Sequence, residues 1–261
     1  METPDYSHLR KRLLRLTGLD LDCYKGKQMQ RRLDTWLKRS GCCSWVDYCP
    51  RLERDSAELR RFTDYLTINV SAFFRDPERF AYLRDHVLPK LLSPGRPLRV
   101  WSAGASYGAE AYSLAILLEE LTPNRRHYLL GTDIDRTIID RARKGSGFSR
   151  EDVRNVEPHL LKKYFLTDSG SYDVVERIKT RVELKIHNLL KDPFESDFDL
   201  ILCRNVVIYF TDEAKEALYR KFHQALRPGG VLFAGGTEIL WRPSEIGLSS
   251  ITCGFYRKFE K

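Results

Sequence analysis

Hydrophobic positions follow one period in the first third of the chain and another in the rest. Up to residue 92 the spacing is helical. Leu9, Leu13, Leu14 and Leu16 make a short apolar stripe closed by Gly18, and Met29, Leu33, Trp36 and Leu37 share one face of a helix predicted over 26–40, stopped by Gly41. Two more helices are predicted over 56–66 and 77–92, the second with Asp76 as N-cap and Pro77 at its first position. After Ser93-Pro94-Gly95-Arg96-Pro97, short apolar runs alternate with helix-length amphipathic ones. The predicted order is strand 98–103, helix 109–121, strand 127–132, helix 135–144, strands 182–187 and 198–203, helix 212–226, strand 230–235 and a closing strand 252–259. Such alternation implies a mainly parallel sheet covered on both faces. Between 145 and 181 it lapses into a helical piece over 150–165 and a short apolar run, Tyr172 to Val175. The predicted organisation is an all-α domain over 1–92, a linker over 93–97, and an α/β domain over 98–261 with a small insert at about 145–181.

Composition narrows the class without changing this picture. With 261 residues, 42% hydrophobic and 31% charged, the chain has the make-up of a soluble globular protein. It holds no run of eighteen apolar residues, so no direct membrane insertion is expected. The opening Met-Glu-Thr-Pro-Asp lacks the basic and apolar regions of a secretory signal, and a cytoplasmic location is expected. Cys23, Cys42, Cys43, Cys49, Cys203 and Cys253 form no C-x-x-C pair, so reduced thiols and no metal are expected.

Charge does add something. Residues 1–92 carry 18 Lys/Arg against 13 Asp/Glu, whereas the longer remainder carries 26 against 23. On helix 26–40, Lys27, Arg31 and Lys38 cluster opposite the apolar face, with Arg32 and Arg39 on its flank and Asp34 as the one acid. A face that cannot neutralise itself points to an acidic partner, either a protein surface or nucleic acid.

The most specific local signal is Arg99-Val100-Trp101-Ser102-Ala103-Gly104-Ala105-Ser106-Tyr107-Gly108-Ala109-Glu110. An apolar strand enters a small-residue turn, and a helix free of Pro and Gly opens behind it. Glycine lets the chain reverse tightly and lets a ligand approach bare backbone, while the helix start offers unpaired N–H groups. Downstream, Gly131-Thr132-Asp133-Ile134-Asp135 ends a strand on a carboxylate able to hold ribose hydroxyls. The G-x-G-x-x-G dinucleotide pattern is absent, because Ser102 stands where its first glycine belongs. A single nucleoside such as S-adenosylmethionine fits better; a turn with no ligand is the other reading.

The order of motifs resembles the chemotaxis receptor methyltransferase family (the CheR type) along essentially the full chain. The matching blocks are Thr67 to Arg75, Arg99 to Ser113, Gly131 to Asp135, His187-Asn188-Leu189-Leu190, Cys203 to Phe210, and Leu226 to Glu238. The resemblance implies an all-α N-terminal domain followed by a Rossmann-like α/β domain with a small β insert. It also implies S-adenosylmethionine as methyl donor, S-adenosylhomocysteine as product, and glutamates on methyl-accepting chemotaxis receptors as substrate. Carried over residue by residue, Asn69, Ser71 and Arg75 close over the cofactor, and Gly104 and Glu110 belong to the loop. Asp133 is the ribose-side acid, Asn188 and Leu189 lie on the adenine side, and Arg204 and Asn205 line the crevice. Capping roles for Asn69, Ser71, Asp133 and Asp135, and a surface-loop role for Arg204 or Asn205, remain open at this point.

Two departures stand out. Where the family commonly writes Thr-Gly-Glu-Glu-Pro-Tyr-Ser, this chain has Tyr107-Gly108-Ala109-Glu110-Ala111-Tyr112-Ser113, one carboxylate fewer. The insert segment Leu166 to Tyr172 is short and holds one glycine, which resembles members that work without a receptor-tail tether. For catalysis, Arg75 is expected to orient the incoming carboxylate, Arg204 being the other arginine able to do so, and Tyr209 to line the cleft. Lys27, Arg31, Arg32, Lys38 and Arg39 are expected to dock the receptor. Two other readings stand beside this one. A methyltransferase acting on nucleic acid is disfavoured because no aromatic-interleaved basic groove is evident. The second is a non-catalytic signalling adaptor that binds the cofactor.

Overall fold

A computed structural model describes residues 4–67, 69–236 and 238–260. The chain packs as two units: one holds the residues before Asn69 together with Val207–Ala217, the other holds Asn69–Val206 and the chain from Leu218 onward.

The first unit contains α1 (Pro4–Thr17), α2 (Gly26–Ser40), α3 (Trp45–Arg54) and α4 (Ser56–Thr67). Leu9, Leu13, Met29 and Leu33 are buried, as the helical spacing requires. Gly41 closes α2 at a φ of 72°, a left-handed position that favours glycine. Helix α3 is absent from the apolar pattern because Pro50 interrupts it. It forms nonetheless, capped by the Ser44 hydroxyl, which accepts the Asp47 N–H at 3.1 Å. The core carries one polar chain. Trp36 Nε1 donates to Tyr48 Oη at 2.6 Å, and Tyr48 Oη donates to Glu58 Oε1 at 2.6 Å. The bond from Tyr48 and a second from Arg61 hold the Glu58 carboxyl below its ordinary range. Val207–Ala217 joins this unit through backbone bonds from Lys25 N–H to the Tyr209 carbonyl (2.8 Å) and from Thr211 N–H to the Cys23 carbonyl (2.9 Å).

The second unit is built on a seven-stranded sheet in the order β5-β2-β1-β6-β7-β9-β8. β1 (Arg99–Ala103), β2 (Tyr128–Asp133), β5 (Val182–Ile186), β6 (Phe198–Cys203) and β7 (Leu226–Ala234) run parallel. The expected closing strand is two antiparallel strands, β8 (Leu248–Thr252) and β9 (Phe255–Lys258), with Gly254 turning between them at a φ of 85°. From β1 the chain builds outward through β2 to β5 and then returns to β6 on the other side. Strand order therefore reverses between β1 and β6, and a crevice opens at their carboxyl ends. Helix α7 (Ala109–Leu121) has nine of its thirteen residues buried, which explains its nearly unbroken apolar sequence.

Residues 69–92 differ from expectation. Phe73, Phe74, Phe80, Leu83, Val87, Leu88 and Leu91 share one apolar core with Val100, Leu129, Leu200 and Phe233 of the sheet. Packing therefore divides the chain near residue 68, and the Pro-Gly segment 93–97 is only a turn inside the second unit. The helical spacing in 77–92 holds, but its apolar face packs into the core of the second unit and not the first. The stretch is α5 (Pro77–Tyr82), a π turn over Leu83–Val87 and α6 (Leu88–Leu92), the π turn preceding Pro89, which has no N–H to continue the ladder. Asp76 caps α5 only with its backbone carbonyl, its φ being 61° and its carboxylate turned elsewhere.

Helix α8 (Arg136–Lys144) follows β2, and α11 (Asp212–Ala225) precedes β7. In the insert the helical piece shrinks to α9 (Pro158–Tyr164), followed by the hairpin β3 (Phe165–Asp168) and β4 (Ser171–Val174) and the short α10 (Glu176–Lys179). Ser169 and Gly170, at φ 47° and 86°, make a two-residue hairpin turn that matches the strand twist.

Candidate functional site

At the end of β1, Gly104 takes a φ of 86°, and the N–H groups of Gly104 and Ala105 both donate to the Thr132 carbonyl at 2.8 Å. A Cβ on Gly104 would run into Val206, so two strand ends approach there as only glycine allows. Ser106, also left-handed at φ 50°, sends its N–H to Asp133 Oδ2 at 2.9 Å. Asp133 Oδ1 takes the Asp135 N–H at 3.1 Å. Burial pushes the Asp133 carboxyl up to about 6, against the lowering effect of these backbone donors. Asp135 behaves differently. It is buried, caps α8 by accepting the Ile138 N–H at 3.2 Å, and accepts Asn69 Nδ2 at 2.9 Å. The two acids are thus separated by structure: Asp135 is the helix cap, and Asp133 sits at the mouth of the sheet.

Segment 69–76 is tied to the α/β unit along its length. Besides the Asn69 bond, the Ser71 carbonyl accepts Tyr107 Oη, Phe73 N–H donates to the Asp152 carbonyl at 2.9 Å, and Phe74 N–H donates to Ser113 Oγ at 3.0 Å. Tyr107, the departure in the loop, is a fastener. Its buried ring packs beside Phe148 at 6.2 Å and under the Arg141 guanidinium at 4.6 Å, with Asp152 Oδ1 2.8 Å from its hydroxyl. Ala109 is fully buried, where a glutamate would have to lose its water.

Arg75 and Arg204 have opposite surroundings. The Arg204 side chain is 1% exposed and lies over the Phe80 and Phe233 rings at 5.3 and 4.7 Å. Its guanidinium donates to Glu110 (3.2 Å), to the Arg75 carbonyl (2.9 Å) and to the Asp76 carboxylate. Glu110 in turn accepts the Ser102 hydroxyl at 2.8 Å. Arg204 is therefore a buried strut, which rules out a surface-loop role. Arg75 is half-buried, and the one side-chain hydrogen bond it makes among the described residues runs from Nη1 to the Val70 carbonyl at 2.9 Å.

Asn205 follows at a φ of 59°. Its N–H, that of Val206 and that of Gly235 all converge on the buried carboxylate of Glu238, at 2.6, 3.0 and 2.8 Å. Glu238 thereby joins the ends of β6 and β7. Sequence reasoning gave it no role; the signal was an acid directly behind the small-residue run Gly235-Gly236-Thr237. At the end of β5, Asn188 Oδ1 accepts the Leu190 N–H at 2.9 Å, and Leu189 is buried. Asn188 is thus a turn-maker as well as a rim residue.

Ser106 Oγ and Asn205 Oδ1 are buried without a hydrogen-bond partner, one after β1 and the other after β6. A donor-acceptor group on each side of the crevice, bare backbone at Gly104 and a carboxylate at Asp133 fit a polar nucleoside. The family described as CheR methyltransferase, SAM binding domain, matches residues 69–253, and its all-alpha domain matches residues 4–67. The chain belongs to the CheR methyltransferase family. Chemotaxis protein methyltransferases of Listeria innocua and Listeria monocytogenes are 38% and 39% identical to it, each over 97% of this chain and 97% of their own length. That of Escherichia coli is 33% identical over 85% of this chain and 79% of its own. As a member of the family the chain is an S-adenosylmethionine-dependent methyltransferase. The two domain matches meet where packing divides the chain.

Asn69, Ser71, Arg75, Gly104, Glu110, Asp133, Asn188, Leu189, Arg204 and Asn205 all belong to the α/β unit, whereas Tyr209 belongs to the helical one. Also in the helical unit, Lys27, Arg31 and Lys38 are exposed and make no ion pair among the described residues. With Gln30, Asp34 and Thr35 they line a shallow depression along α2. Arg32 and Arg39 turn instead toward Tyr65, their guanidinium carbons 4.7 and 5.8 Å from its ring, and Arg32 also donates to the Tyr65 carbonyl. Among the described residues no group of three or more His, Cys, Asp or Glu side chains is placed to hold a metal ion. Among the described residues no helix is long and apolar enough to cross a membrane.

Proposed function

We propose that this methyltransferase esterifies the γ-carboxylate of specific glutamates on the signalling helices of chemotaxis receptors. Bound S-adenosylmethionine supplies an electrophilic methyl group on a sulfonium centre. Asp133 would accept its ribose hydroxyls, Asn188 and Leu189 would border its adenine, and Ser106, Asn205 and the Gly104 backbone would line the crevice between. The chain's own catalytic work is modest. A glutamate, with an ordinary pKa of about 4.3, is already ionised near neutrality, so no general base is required. Positioning remains, and holding an oxygen in line with a methyl carbon is worth up to roughly 7–11 kcal/mol.

The observation that supports a carboxylate acceptor is the contrast between the two arginines. Both terminal nitrogens of Arg204 are taken by Glu110, Asp76 and the Arg75 carbonyl, with only its buried Nε unbonded among the described residues, while the Arg75 guanidinium keeps most of its donors for an incoming carboxylate. Glu110, Asp76 and Arg204 together hold the backbone that carries Arg75. Lys27, Arg31 and Lys38 give an acidic receptor helix an unneutralised face to approach, with steering that weakens in salt. The two-residue turn of the β3–β4 hairpin leaves little loop to grip a receptor tail, which favours action without a tether.

The test is transfer of labelled methyl from S-adenosylmethionine to receptor-containing membranes, followed by mild alkali, which releases methanol from a carboxyl ester. Arg75→Ala should lower kcat/KM about 100-fold, the loss of one charge-assisted contact of roughly 3 kcal/mol, while leaving the thermal midpoint in place. Label that survives alkali, or unchanged turnover in the variant, contradicts the proposal.

A further inference from the structure

Among the described residues, three large apolar side chains are more exposed than any others: Trp241 at 86%, and Val70 and Ile239 at 70% each. Scattered exposed apolar residues need no explanation, but two of these three lie in segments tied to neighbouring residues of the crevice. Val70 lies between Asn69 and Ser71, and Ile239 follows Glu238 directly. Both segments are stitched to consecutive residues of the crevice, since Arg204 bonds the Arg75 carbonyl and Asp76, and the Asn205 N–H bonds Glu238.

Nor is the exposure that of a loose loop. Glu238 is buried and takes three backbone N–H groups, and Leu240 is buried with its N–H donating to Tyr256 Oη at 3.0 Å. With Glu238 and Leu240 anchored inward, Ile239 and Trp241 are held outward. Val70 is held likewise, between Asn69 bonded to Asp135 and Ser71 bonded to Tyr107, with its own carbonyl taking Arg75 Nη1. Water-exposed apolar groups on a fixed support are a feature of surfaces that bind another macromolecule.

We propose that Val70, Ile239 and Trp241 form an apolar rim that receives an amphipathic helix of the methyl-accepting protein, its apolar side chains seated on either side of the acidic acceptor. The inference rests on the methylation reading above. An acceptor that delivers a carboxylate to Arg75 must lay its neighbouring residues on whatever surrounds the opening, and these three exposed apolar side chains would supply that support. The exposed bases of α2 would attract the helix from a distance, whereas this rim would fix its register and shield the reacting carboxylate from water.

The probe is a purified cytoplasmic receptor fragment, used with the full-length protein. Trp45 and Trp101 are buried and Trp36 is half-buried, so iodide quenching of tryptophan fluorescence reads chiefly Trp241. Adding the fragment with S-adenosylhomocysteine present should protect Trp241 from iodide. Trp241→Ser with Ile239→Ser should raise KM for the fragment about tenfold or more, as loss of an aromatic anchor does, with the thermal midpoint and S-adenosylhomocysteine affinity unchanged. An unprotected Trp241 with unchanged KM overturns the rim. So does an equal loss of S-adenosylhomocysteine affinity, which would assign the residues to the cofactor, and so does a change confined to the sedimentation of the protein alone, which would assign them to a second copy of this chain. Absence of alkali-labile methyl with the wild-type protein instead refutes the carboxylate reading, because protection of Trp241 is read without turnover.

Discussion

Asp133 should make cofactor binding depend on pH in a range where an ordinary aspartate would not. Burial lifts its carboxyl from 3.8 to about 6, although the Ser106 and Asp135 N–H groups favour the ionised form. The folded chain therefore holds this proton more tightly than the unfolded chain does between those values. Its contribution to stability declines as pH rises from about 4 through about 6 and is level above. Ligand binding runs the other way. On the proposed reading a ribose hydroxyl would donate to the ionised carboxylate, so binding would be coupled to losing the proton. For a group titrating near 6, the dissociation constant scales as one plus the ratio of protonated to ionised carboxyl. It should thus weaken about tenfold between pH 7 and pH 5. Calorimetry with S-adenosylhomocysteine across that range is a direct assay, because the ligand's own carboxyl and amine titrate well outside it. Proton release on binding at about pH 5.5, seen as a heat that changes with buffer ionisation enthalpy, is the companion signal. Asp133→Asn should bind more weakly near neutrality and lose the dependence. A flat profile in the wild-type protein, or the same slope in the Asn variant, would refute the coupling.

Other perturbations test the frame around the crevice. Glu238→Gln keeps the shape but sets an amide N–H against one of three backbone donors, losing at least one charge-assisted bond. It should cost about 2–3 kcal/mol, lower the thermal midpoint by roughly 4–12 °C and weaken S-adenosylhomocysteine binding; a midpoint within a degree of wild type would remove the role. Gly104→Ala combines a φ of 86° with a collision against Val206 and should destabilise by about 1–3 kcal/mol in chemical denaturation. Replacing Lys27, Arg31 and Lys38 by Glu should reduce receptor methylation and flatten its salt dependence without touching S-adenosylhomocysteine affinity. Equal methylation at low and high salt in both proteins would deny α2 a docking role.

Much of the α/β unit was legible from sequence because its signals are local. Strand β6 and helix α7 lie where apolar period and glycine placement put them, as does α2 in the helical unit. The turn at Gly104 follows from the same chemistry, since a left-handed residue at a strand end leaves few choices of side chain. Local signals failed where one residue masked a pattern, as Pro50 masks α3, or where a pattern was right but its core was wrong. The helical spacing of 77–92 says that one face is buried, not against which element it is buried.

The division of labour at the site was decided by contacts between residues far apart in the chain. Arg204 meets Glu110 and Asp76 across 94 and 128 positions, and Glu238 meets Asn205 across 33. Composition and spacing present two interchangeable arginines and two interchangeable aspartates; folding buries Arg204 and leaves Arg75 with donors to spare, makes Asp135 a cap and sets Asp133 at the sheet's mouth. Sequence determined that a nucleoside-binding turn would form, because backbone conformation at glycine and strand ends is a short-range matter. Only tertiary structure decided which charged group faces the ligand, because desolvation and pairing depend on everything packed around it.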